Sequence, residues 1–343
     1  MKTAVIIPNY NGYRFLPACM EALDRQSRQD FLTIVVDNAS SDESLHWLSH
    51  WSAEAPDRRL LLRNPKNLGF SAAVNLGIRR AAAQNLSYVL LLNNDTSVLP
   101  DFLERLESEM EQDRTEQLFA ISSRMVKMHD SSVMDDAGDQ YTLLGWQFQR
   151  GLEEPVQDWN RPAFVFSACA GAALYRLSAL KKTGLFDIAH FAYLEDLDIS
   201  YRARLLGYRI LYLPTAVCRH VGSGTSGSKY NSFKVRLSAR NSWYLPYKNM
   251  PNAQLLLNAP FLALGYLVKL LYFQRMGFGR DYRAGLREGF RNAGRLQRVH
   301  FSDIPLHRFL RIEWELLLAT VEYLLRMRKR AMRRTAKKKE SSA

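Results

Sequence analysis

The sequence predicts an α/β fold, and two observations support this prediction. The first third of the chain alternates short β-rich runs with helical patterns, which is typical of βαβ units around a parallel sheet. Four apolar runs then end in clusters of carboxylates and amides, at 9–11, 37–42, 93–95 and 195–198. Ligands of open α/β sheets bind beyond the carboxyl ends of the strands, so these polar groups predict a site at one edge of the sheet.

The first elements follow from local spacing and turn residues. A second helix is predicted to start after Ser41 or Asp42, either of which can cap it. Residues 125–161 are interpreted as a loop or hairpin excursion without recognisable chemistry. Strands are predicted near 3–7, 31–36, 59–62, 88–92, 164–176 and 208–213. Gly207 is expected to end a helix that lies between the last two of these strands.

Composition and cysteine usage bound the class of protein. With 343 residues, 47% of them hydrophobic, the chain can bury a full core as one large domain or two smaller ones. The three cysteines form no C-x-x-C pair, as expected of reduced thiols in a cytosolic protein. Pro8 stops the first apolar run too early for a secretory signal peptide, so a location inside the cell is predicted.

The end of the chain is basic and follows apolar sequence. The net charge is +13, and residues 326–339 are dense in Arg and Lys and contain no acid. Basic tails bind nucleic acid or anionic membranes, and the apolar run upstream favours the membrane. Binding of nucleic acid on a folded face would need cations interleaved with aromatics, so no nucleic-acid partner is expected.

A second module is predicted after residue 249. Residues 255–273 are nearly continuously apolar, interrupted by Asn258, Pro260 and Lys269. A membrane span needs about 20 apolar residues, and Pro260 is expected to leave only the part after it as uninterrupted helix. An interfacial or re-entrant helix is therefore predicted rather than a span. The predicted division is an α/β domain over 1–249, a helical membrane-surface module over 250–325 and a disordered basic tail over 326–343.

Six stretches of the chain occur in the order of one known family. The four polar strand ends are joined by Asn-Pro-Lys-Asn-Leu-Gly-Phe at 64–70, and by Ala-Gly-Ala at 170–172 ahead of Gly-Leu-Phe-Asp at 184–187. Over roughly residues 3–249 the chain resembles the family-two glycosyltransferases with the GT-A fold, most of all the subgroup that includes rhamnosyltransferases. The resemblance implies a GT-A-like, Rossmann-like mixed sheet flanked by helices, and a nucleotide-sugar donor.

Asp95 and His220 are the candidate metal ligands. By resemblance, Asp95 takes the place of the last acid of the family's Asp-x-Asp motif and holds a divalent ion against the donor's diphosphate. The chain departs from that motif because Asn93 replaces the earlier acid, and a plain turn is the structural alternative. His220 matches a position of a metal-binding histidine in family members. Imidazole beside carboxylate suits Mn²⁺ somewhat better than Mg²⁺, although both accept such sites.

The residues assigned to the nucleotide lie mainly at strand ends. The resemblance implies that Asp37 accepts the N3–H of uracil or thymine, with Asn38 as a second polar contact. Capping of the next helix is the structural alternative for Asp37. By the same resemblance, the remaining nucleotide-binding residues are Pro8, Asn9 and Tyr10 under the nucleoside, Asn67, Gly69 and Asn75 on its far side, and Asn94 beside Asp95.

Asp196 is the candidate general base. It lies with Glu195 at the start of an amphipathic helix. The resemblance implies that Asp196 removes the proton of the acceptor hydroxyl in an inverting transfer, while Glu195 helps to position the acceptor. Acids in the first turn of a helix also favour its dipole, and Asp198 with Arg202 has the spacing of an ordinary ion pair.

Arg240 and Asn241 match a family position near the diphosphate and the acceptor. They follow a Gly- and Ser-rich loop at 222–228. Such a loop can close over a bound donor, because its glycines provide the mobility that a lid needs.

These features predict a metal-dependent inverting hexosyltransferase on the inner face of the cell membrane, acting in cell-surface polysaccharide synthesis. The predicted donor is dTDP-rhamnose and the predicted acceptor a lipid-linked glycan, with UDP-hexoses or UDP-N-acetylhexosamines as alternative donors. A dinucleotide oxidoreductase would show a G-x-G-x-x-G turn after the first strand, where this chain has Pro-Asn-Tyr-Asn-Gly at 8–12. A non-enzymatic basic protein that binds membrane or nucleic acid is the other alternative.

Overall fold

The structure, a computed structural model, describes residues 1–222 and 230–340, with side chains up to Lys329 and at Met332. The α/β part contains β1 (Thr3–Asn9), α1 (Leu16–Asp24), β2 (Leu32–Asp37), α2 (Ser44–Ala53), β3 (Arg59–Arg63), α3 (Gly69–Ala83), β4 (Tyr88–Leu92), β5 (Thr96–Val98), α4 (Phe102–Gln112), β6 (Leu118–Lys127), β7 (Met134–Asp136), β8 (Asp139–Tyr141), β9 (Gln147–Gln149), β10 (Ala163–Phe164), β11 (Ala172–Arg176), α5 (Leu177–Thr183), α6 (Glu195–Leu205) and β12 (Arg209–His220). The helices that follow are α7 (Ser232–Asn249), α8 (Asn252–Arg275), α9 (Gly279–Asn292) and α10 (Leu306–Glu340).

A mixed sheet organises the α/β part. Its strands lie in the order β10-β12-β6-β11-β4-β1-β2-β3. Strands β4, β1, β2 and β3 pair in parallel, whereas β11 runs antiparallel between β4 and β6. The carboxyl ends of β1, β2 and β4 therefore meet at one edge of the sheet.

Both faces of the sheet are buried, which explains the continuous apolar runs of its strands. Along β1, Ala4 and Ile6 face the core beneath α3, whereas Val5 and Ile7 face the core beneath α1 and α4. Gly77 of α3 lies directly on the Ile6 side chain, so a larger residue there would push the helix off the sheet. The predicted fold, a mixed sheet flanked by helices with a helical C-terminal region, is confirmed.

Several local predictions differ from the structure. The predicted strand over 164–176 is two separate strands, β10 and β11, which pair with different neighbours. The predicted loop over 125–161 contains the end of β6, the edge strand β7 and the β8–β9 hairpin. Helix α2 starts at Ser44, and Asp42 accepts a hydrogen bond from the Ser44 amide. Gly207, with a φ of 91°, follows the end of α6 as predicted.

The C-terminal helices also correct one expectation. Helix α8 continues through Pro260 without interruption, because its packing against the body outweighs the one backbone hydrogen bond that proline cannot donate. Helix α8 is long and apolar enough to cross a membrane. The backbone of α10 is helical as far as Glu340, within the segment for which the sequence predicted a disordered tail. The predicted division into three segments stays a prediction.

Candidate active site

Side-chain amides and a carboxylate join the ends of β1, β2 and β4. The Asn94 amide donates to Asn9 Oδ1 at 2.7 Å, and the Asn9 amide donates to Asp37 Oδ2 at 3.0 Å. Gly12 lies against both asparagines and leaves no room for a side chain. The structure thus brings together three residues that the sequence assigned to the nucleotide, in one hydrogen-bonded row along the sheet edge.

Asp37 also organises the turn that follows β2. Its carboxylate accepts from the Ser40 amide at 3.0 Å and from the Ser40 hydroxyl at 2.6 Å. Asn38 accepts from the Asn64 amide and donates to the Gly69 carbonyl, which joins the ends of β2 and β3 to the start of α3. These bonds hold both residues at the edge, and their contact with a base stays a prediction.

The other residues assigned to the nucleotide have different surroundings. Asn67 accepts from the Gly69 amide, Pro8 is half-buried within β1, and Tyr10 is exposed just beyond that strand. Asn75 is buried, and its side chain both donates to and accepts from the backbone of Phe186. The structure therefore places Asn75 in the packing of α3 against the segment before α6 rather than with the strand-end row.

Asp95 and His220 lie face to face. Strand β5 pairs with β12, which sets Thr96 opposite His220, so that His220 Nε2 lies 3.3 Å from Asp95 Oδ1. The other ring nitrogen, Nδ1, lies 2.7 Å from Asp135 Oδ2, and Asp135 also pairs with Lys127. Burial lowers the pKa of His220, but the two carboxylates outweigh it and raise this pKa to about 9.

A divalent cation would displace the proton of His220, since only a neutral imidazole binds metal, and the donor atoms present suit such an ion. Carboxylate oxygen and imidazole nitrogen are donors that Mg²⁺ and Mn²⁺ accept, and a metal-bound histidine commonly has its second nitrogen held by a carboxylate. Asp135 supplies that carboxylate. Sequence reasoning missed Asp135 because it lies in the weakly patterned stretch and meets His220 across 85 residues. Asn93 adds no second carboxylate at the place of the missing acid.

The predicted base lies in the first turn of α6. Asp196 Oδ1 accepts from the Leu197 amide at 2.8 Å, yet burial raises the pKa of Asp196 to about 6. Glu195 is buried with Oε2 lacking a hydrogen-bond partner among the described residues, and burial together with Asp196 holds the pKa of Glu195 well above its ordinary value. A carboxylate with a pKa near neutrality can take and release a proton at physiological pH.

Two further carboxyl groups, at the turn between β7 and β8, feel the charge of Asp196. Asp136 and Asp139 are buried, and they lie with Cys169 so that one ligand atom of each is within 4.8 Å of the others. Burial raises the pKa of Asp136 to about 7, and burial with the charges of Asp136 and Asp196 holds the pKa of Asp139 well above its usual range. The sequence carried no recognisable signal for this pair.

The segment before Glu195 has an unusual backbone. Phe191, Tyr193 and Leu194 all have positive φ angles, which non-glycine residues rarely adopt. The buried Asn241 of α7 donates through Nδ2 to the carbonyls of His190, Ala192 and Tyr193 at 2.7–2.9 Å. Strained backbone at a functional site persists only where the surroundings hold it, and here α7 does so.

Arg240 contributes to the same support. Its guanidinium donates to the carbonyls of Ala189 and His190 and pairs with Glu288 of α9. The sequence placed Arg240 and Asn241 near the diphosphate and acceptor; the structure places their side chains on the backbone that leads to Asp196. The loop predicted to act as a lid, 222–228, lies outside the described residues except for Gly222.

A charged cluster fixes α6 to α7. Lys248 lies 2.5 Å from Asp187 and 3.0 Å from Asp198, and Asp198 also accepts from Arg202 and Asn249. These cations hold the pKa of Asp198 far below its ordinary value, although burial alone would raise it. Because a lysine ammonium occupies the cluster, its role is structural. The predicted Asp198–Arg202 ion pair is confirmed.

The sheet edge with its polar strand ends and carboxylates is the arrangement of an α/β enzyme that acts on nucleotide-linked substrates. The chain belongs to the glycosyl transferase family 2, whose model matches residues 4–184, more than half of the chain. It is a glycosyltransferase of that type, so the predicted family is confirmed. The rhamnosyltransferase subgroup stays a prediction.

Two curated relatives match about two thirds of the chain. Undecaprenyl-phosphate mannosyltransferase of Micrococcus luteus is 29% identical over 229 residues, which cover 65% of this chain and 86% of that protein. Polyprenol monophosphomannose synthase of Mycolicibacterium smegmatis is 26% identical over 242 residues, which cover 68% of this chain and 85% of that protein.

Solved structures share the fold at low identity. The mannosyltransferase PcManGT from Pyrobaculum calidifontis, in complex with GDP-Man and Mn²⁺, has a TM-score of 0.52 and 16% identity, covering 85% of this chain and 86% of that one. TarS 1-349 of S. aureus in complex with UDP has a TM-score of 0.51 and 16% identity, covering 88% and 95%.

Proposed function

We propose that the protein is a metal-dependent inverting glycosyltransferase that moves a hexose from a nucleoside diphosphate onto a lipid-linked glycan at the inner face of the cell membrane, in cell-surface polysaccharide synthesis. The observation that carries this proposal is the pairing of Asp95 with His220 at the sheet edge, together with the carboxyl group of Asp196 at the start of α6. These groups supply the two functions that the reaction needs, a place for the leaving diphosphate and a base for the acceptor.

Each residue has a defined task in this reaction. Asp196 takes the proton of the acceptor hydroxyl while that oxygen forms the new bond to the anomeric carbon, and Glu195 positions the acceptor. The bond from the anomeric carbon to the diphosphate oxygen breaks with its electron pair leaving on the diphosphate. A single displacement of this kind inverts the configuration at the anomeric carbon.

Asp95 and His220 would hold the divalent cation, with Asp135 fixing the imidazole. When bound, Mg²⁺ or Mn²⁺ acts as a Lewis acid that stabilises the charge on the departing diphosphate. The residues proposed to bind the nucleotide are Pro8, Asn9, Tyr10, Asp37, Asn38, Asn67, Gly69, Asn75 and Asn94. Asp37 is the proposed acceptor for the N3–H of uracil or thymine.

The proposed donor is dTDP-rhamnose, with UDP-hexoses and UDP-N-acetylhexosamines as alternatives. The mannosyl-transferring relatives and the neighbour that holds GDP-Man make GDP-mannose the competing donor. Those two relatives act on polyprenyl phosphates by name, which supports a lipid-linked acceptor here. The apolar helix α8 and the basic end of the chain support an anionic membrane surface as the site of action.

A ligand panel tests this function directly. Ligands that bind only the native state raise its apparent stability, so thermal unfolding is measured with UDP, dTDP, GDP and their sugars, each with and without Mn²⁺. We expect pyrimidine nucleotides with Mn²⁺ to give the largest stabilisation. The best donor is then tested for transfer, and the anomeric configuration of the product is read by NMR. Retention of configuration, or stabilisation by guanine nucleotides alone, would contradict the proposal.

A further inference from the structure

Helix α8 presents an apolar row to solvent along nearly its whole length. Leu256, Leu257, Leu264, Leu267 and Leu271 are between 51% and 78% exposed. A contiguous apolar surface of this kind is rare on soluble proteins and marks a site of contact with a partner or a membrane.

The opposite side of α8 is attached to the body of the protein from end to end. Near its start, the amides of the buried Gln254 and Asn258 donate to Glu313 Oε2 of α10 at 2.7 and 2.9 Å. At its middle, the Trp146 indole donates to the Gly265 carbonyl at 3.1 Å. The remaining attachments are the Tyr266 hydroxyl donating to the Ser242 carbonyl and the Phe273 ring stacked on Tyr282.

These attachments decide the orientation of α8. The hydrocarbon core of a bilayer is about 30 Å thick, and a helix that crosses it exposes its circumference to lipid or to other spanning segments. If α8 crossed, the Glu313 carboxylate and the globular part bound to it would enter hydrocarbon, where charged groups are costly. A membrane contact of α8 would therefore use one side only, with the helix lying in the membrane plane.

Helix α10 carries a second exposed apolar row. Ile312, Leu316 and Ala319 are buried against the body, whereas the other side of the helix is exposed. Glu313 joins this helix to α8, so the two exposed rows belong to neighbouring helices. The exposed row of α10 consists of Leu310, Trp314, Leu317, Leu318, Val321, Leu324 and Leu325.

Helix α9 carries a row of cations. Arg280, Arg283, Arg287 and Arg291 follow at spacings of three, four and four, and all four are exposed. On the opposite side of α9, Gly285 and Gly289 lie against backbone carbonyls of α7. Glu288 of α9 pairs with Arg236 and Arg240 of α7, and among the described residues it is not paired with this row.

We propose that α8, α9 and α10 form one docking surface for an anionic lipid leaflet, with α8 in the membrane plane and the α9 arginines on lipid phosphates. The choice of a lipid partner rests on the proposed function and on the charge of this arginine row. Apolar rows of this type bury into the boundary between headgroups and acyl chains, while nearby cations bind anionic lipid. The surface would hold the enzyme where a lipid-linked acceptor lies.

The arginine row is tested by vesicle co-sedimentation of the full chain. Phosphatidylcholine vesicles with and without phosphatidylglycerol are compared at low and high salt. Each cation near an anionic leaflet contributes about 1 kcal/mol, so Arg283→Gln with Arg287→Gln should weaken binding roughly 25-fold to anionic vesicles at low salt. The matched control, Arg79→Gln with Arg80→Gln on α3, has the same charge change and should bind like wild type. Equal binding by all three proteins, or equal loss in both doubles, would overturn the role of this row.

The apolar rows and the orientation of α8 need separate measurements. Leu264→Gln with Leu271→Gln should remove the binding that survives high salt, because apolar contacts are not screened. Thermal unfolding checks that this variant is folded.

Alkaline carbonate should release the wild-type protein from vesicles; retention after that wash would show a spanning helix and overturn the in-plane orientation. Brominated lipids should quench the tryptophan fluorescence of the wild-type protein, and this quenching should be largely lost in Trp314→Phe. If the variant were quenched as much as the wild type, α10 would not belong to the surface.

The same preparations separate this inference from the proposed function. Nucleotide affinity and transfer to a soluble acceptor are measured beside vesicle binding. A protein that binds anionic vesicles but no nucleotide sugar would remove the proposed function and leave the docking surface intact. A protein that binds and transfers the sugar but binds neither vesicle type would remove the docking surface alone, and a dimer seen by light scattering would then assign the apolar rows to a second copy.

Discussion

Asn241→Ala should lower the turnover number of transfer without changing donor affinity. The Asn241 amide holds three carbonyls of the segment that leads to Asp196, and its Oδ1 accepts a hydrogen bond from Arg240. The NH2 group of Asn241 has two N–H donors, so the three carbonyls share two hydrogen bonds of about 1 kcal/mol net each, and the variant loses about 2 kcal/mol of support for that segment. Three residues there have positive φ angles at a cost of order 1 kcal/mol or more each.

The expected loss follows from these magnitudes. A loss of about 2 kcal/mol lowers the equilibrium constant for the arrangement with Asp196 in place roughly 30-fold, and turnover falls by up to that factor. The assay is steady-state transfer with donor titrated at saturating acceptor, beside donor binding by calorimetry. Ser242→Ala, on the same helix but bonded only to the Ala239 carbonyl through its hydroxyl, is the matched control and should behave like wild type.

A double-mutant cycle distinguishes positioning from general destabilisation. If Asn241 acts through Asp196, then Asn241→Ala should cost little further activity in an Asp196→Asn background. The same fold-loss in both backgrounds, or a raised KM for the donor with unchanged turnover, would refute the reasoning.

Three other predictions concern the reacting groups. Asp196→Asn should lower transfer by about 10² to 10⁴ while donor affinity by calorimetry stays near wild type, and near-normal turnover would remove Asp196 as the base. Asp95→Ala should weaken nucleotide binding much more with Mn²⁺ than without it, and His220→Ala should do so more mildly; activity that survives thorough chelation would exclude the metal for both. The kcat/KM of transfer should fall as the pH drops through about 6, because burial raises the pKa of Asp196 to about 6 and only the ionised carboxylate acts as base. Asp196→Asn should lose this limb of the pH profile, and a profile that is flat across this range in wild type would contradict the assignment.

The parts of the fold that the sequence predicted correctly depend on local patterns. The strands around β1, β2, β3 and β4 were placed because parallel strands buried on both faces appear as short apolar runs ending in turn residues. Strand-end asparagines and aspartates were recognised for the same reason, and the carboxyl ends of neighbouring parallel strands necessarily meet. The Asn94–Asn9–Asp37 row follows from this geometry.

Less regular elements were predicted poorly. The β7 strand and the β8–β9 hairpin have three residues per strand and carry buried acids, so they show neither an apolar run nor a clear alternation. Asp136 and Asp139 were missed with them. Pro260 was expected to interrupt a helix, but the packing of α8 against the body outweighs the loss of one hydrogen bond.

The amino-acid sequence by itself determined the α/β class, the edge at which the site forms and the residues in the first turn of α6, because each depends on neighbours a few positions apart. Only the tertiary structure decided that Asp135 holds the His220 imidazole, that Asn241 supports the segment before Asp196, and that Asn75 packs against Phe186. These contacts join side chains to partners 48 to 111 residues away, and their distances depend on how whole elements pack rather than on any local periodicity.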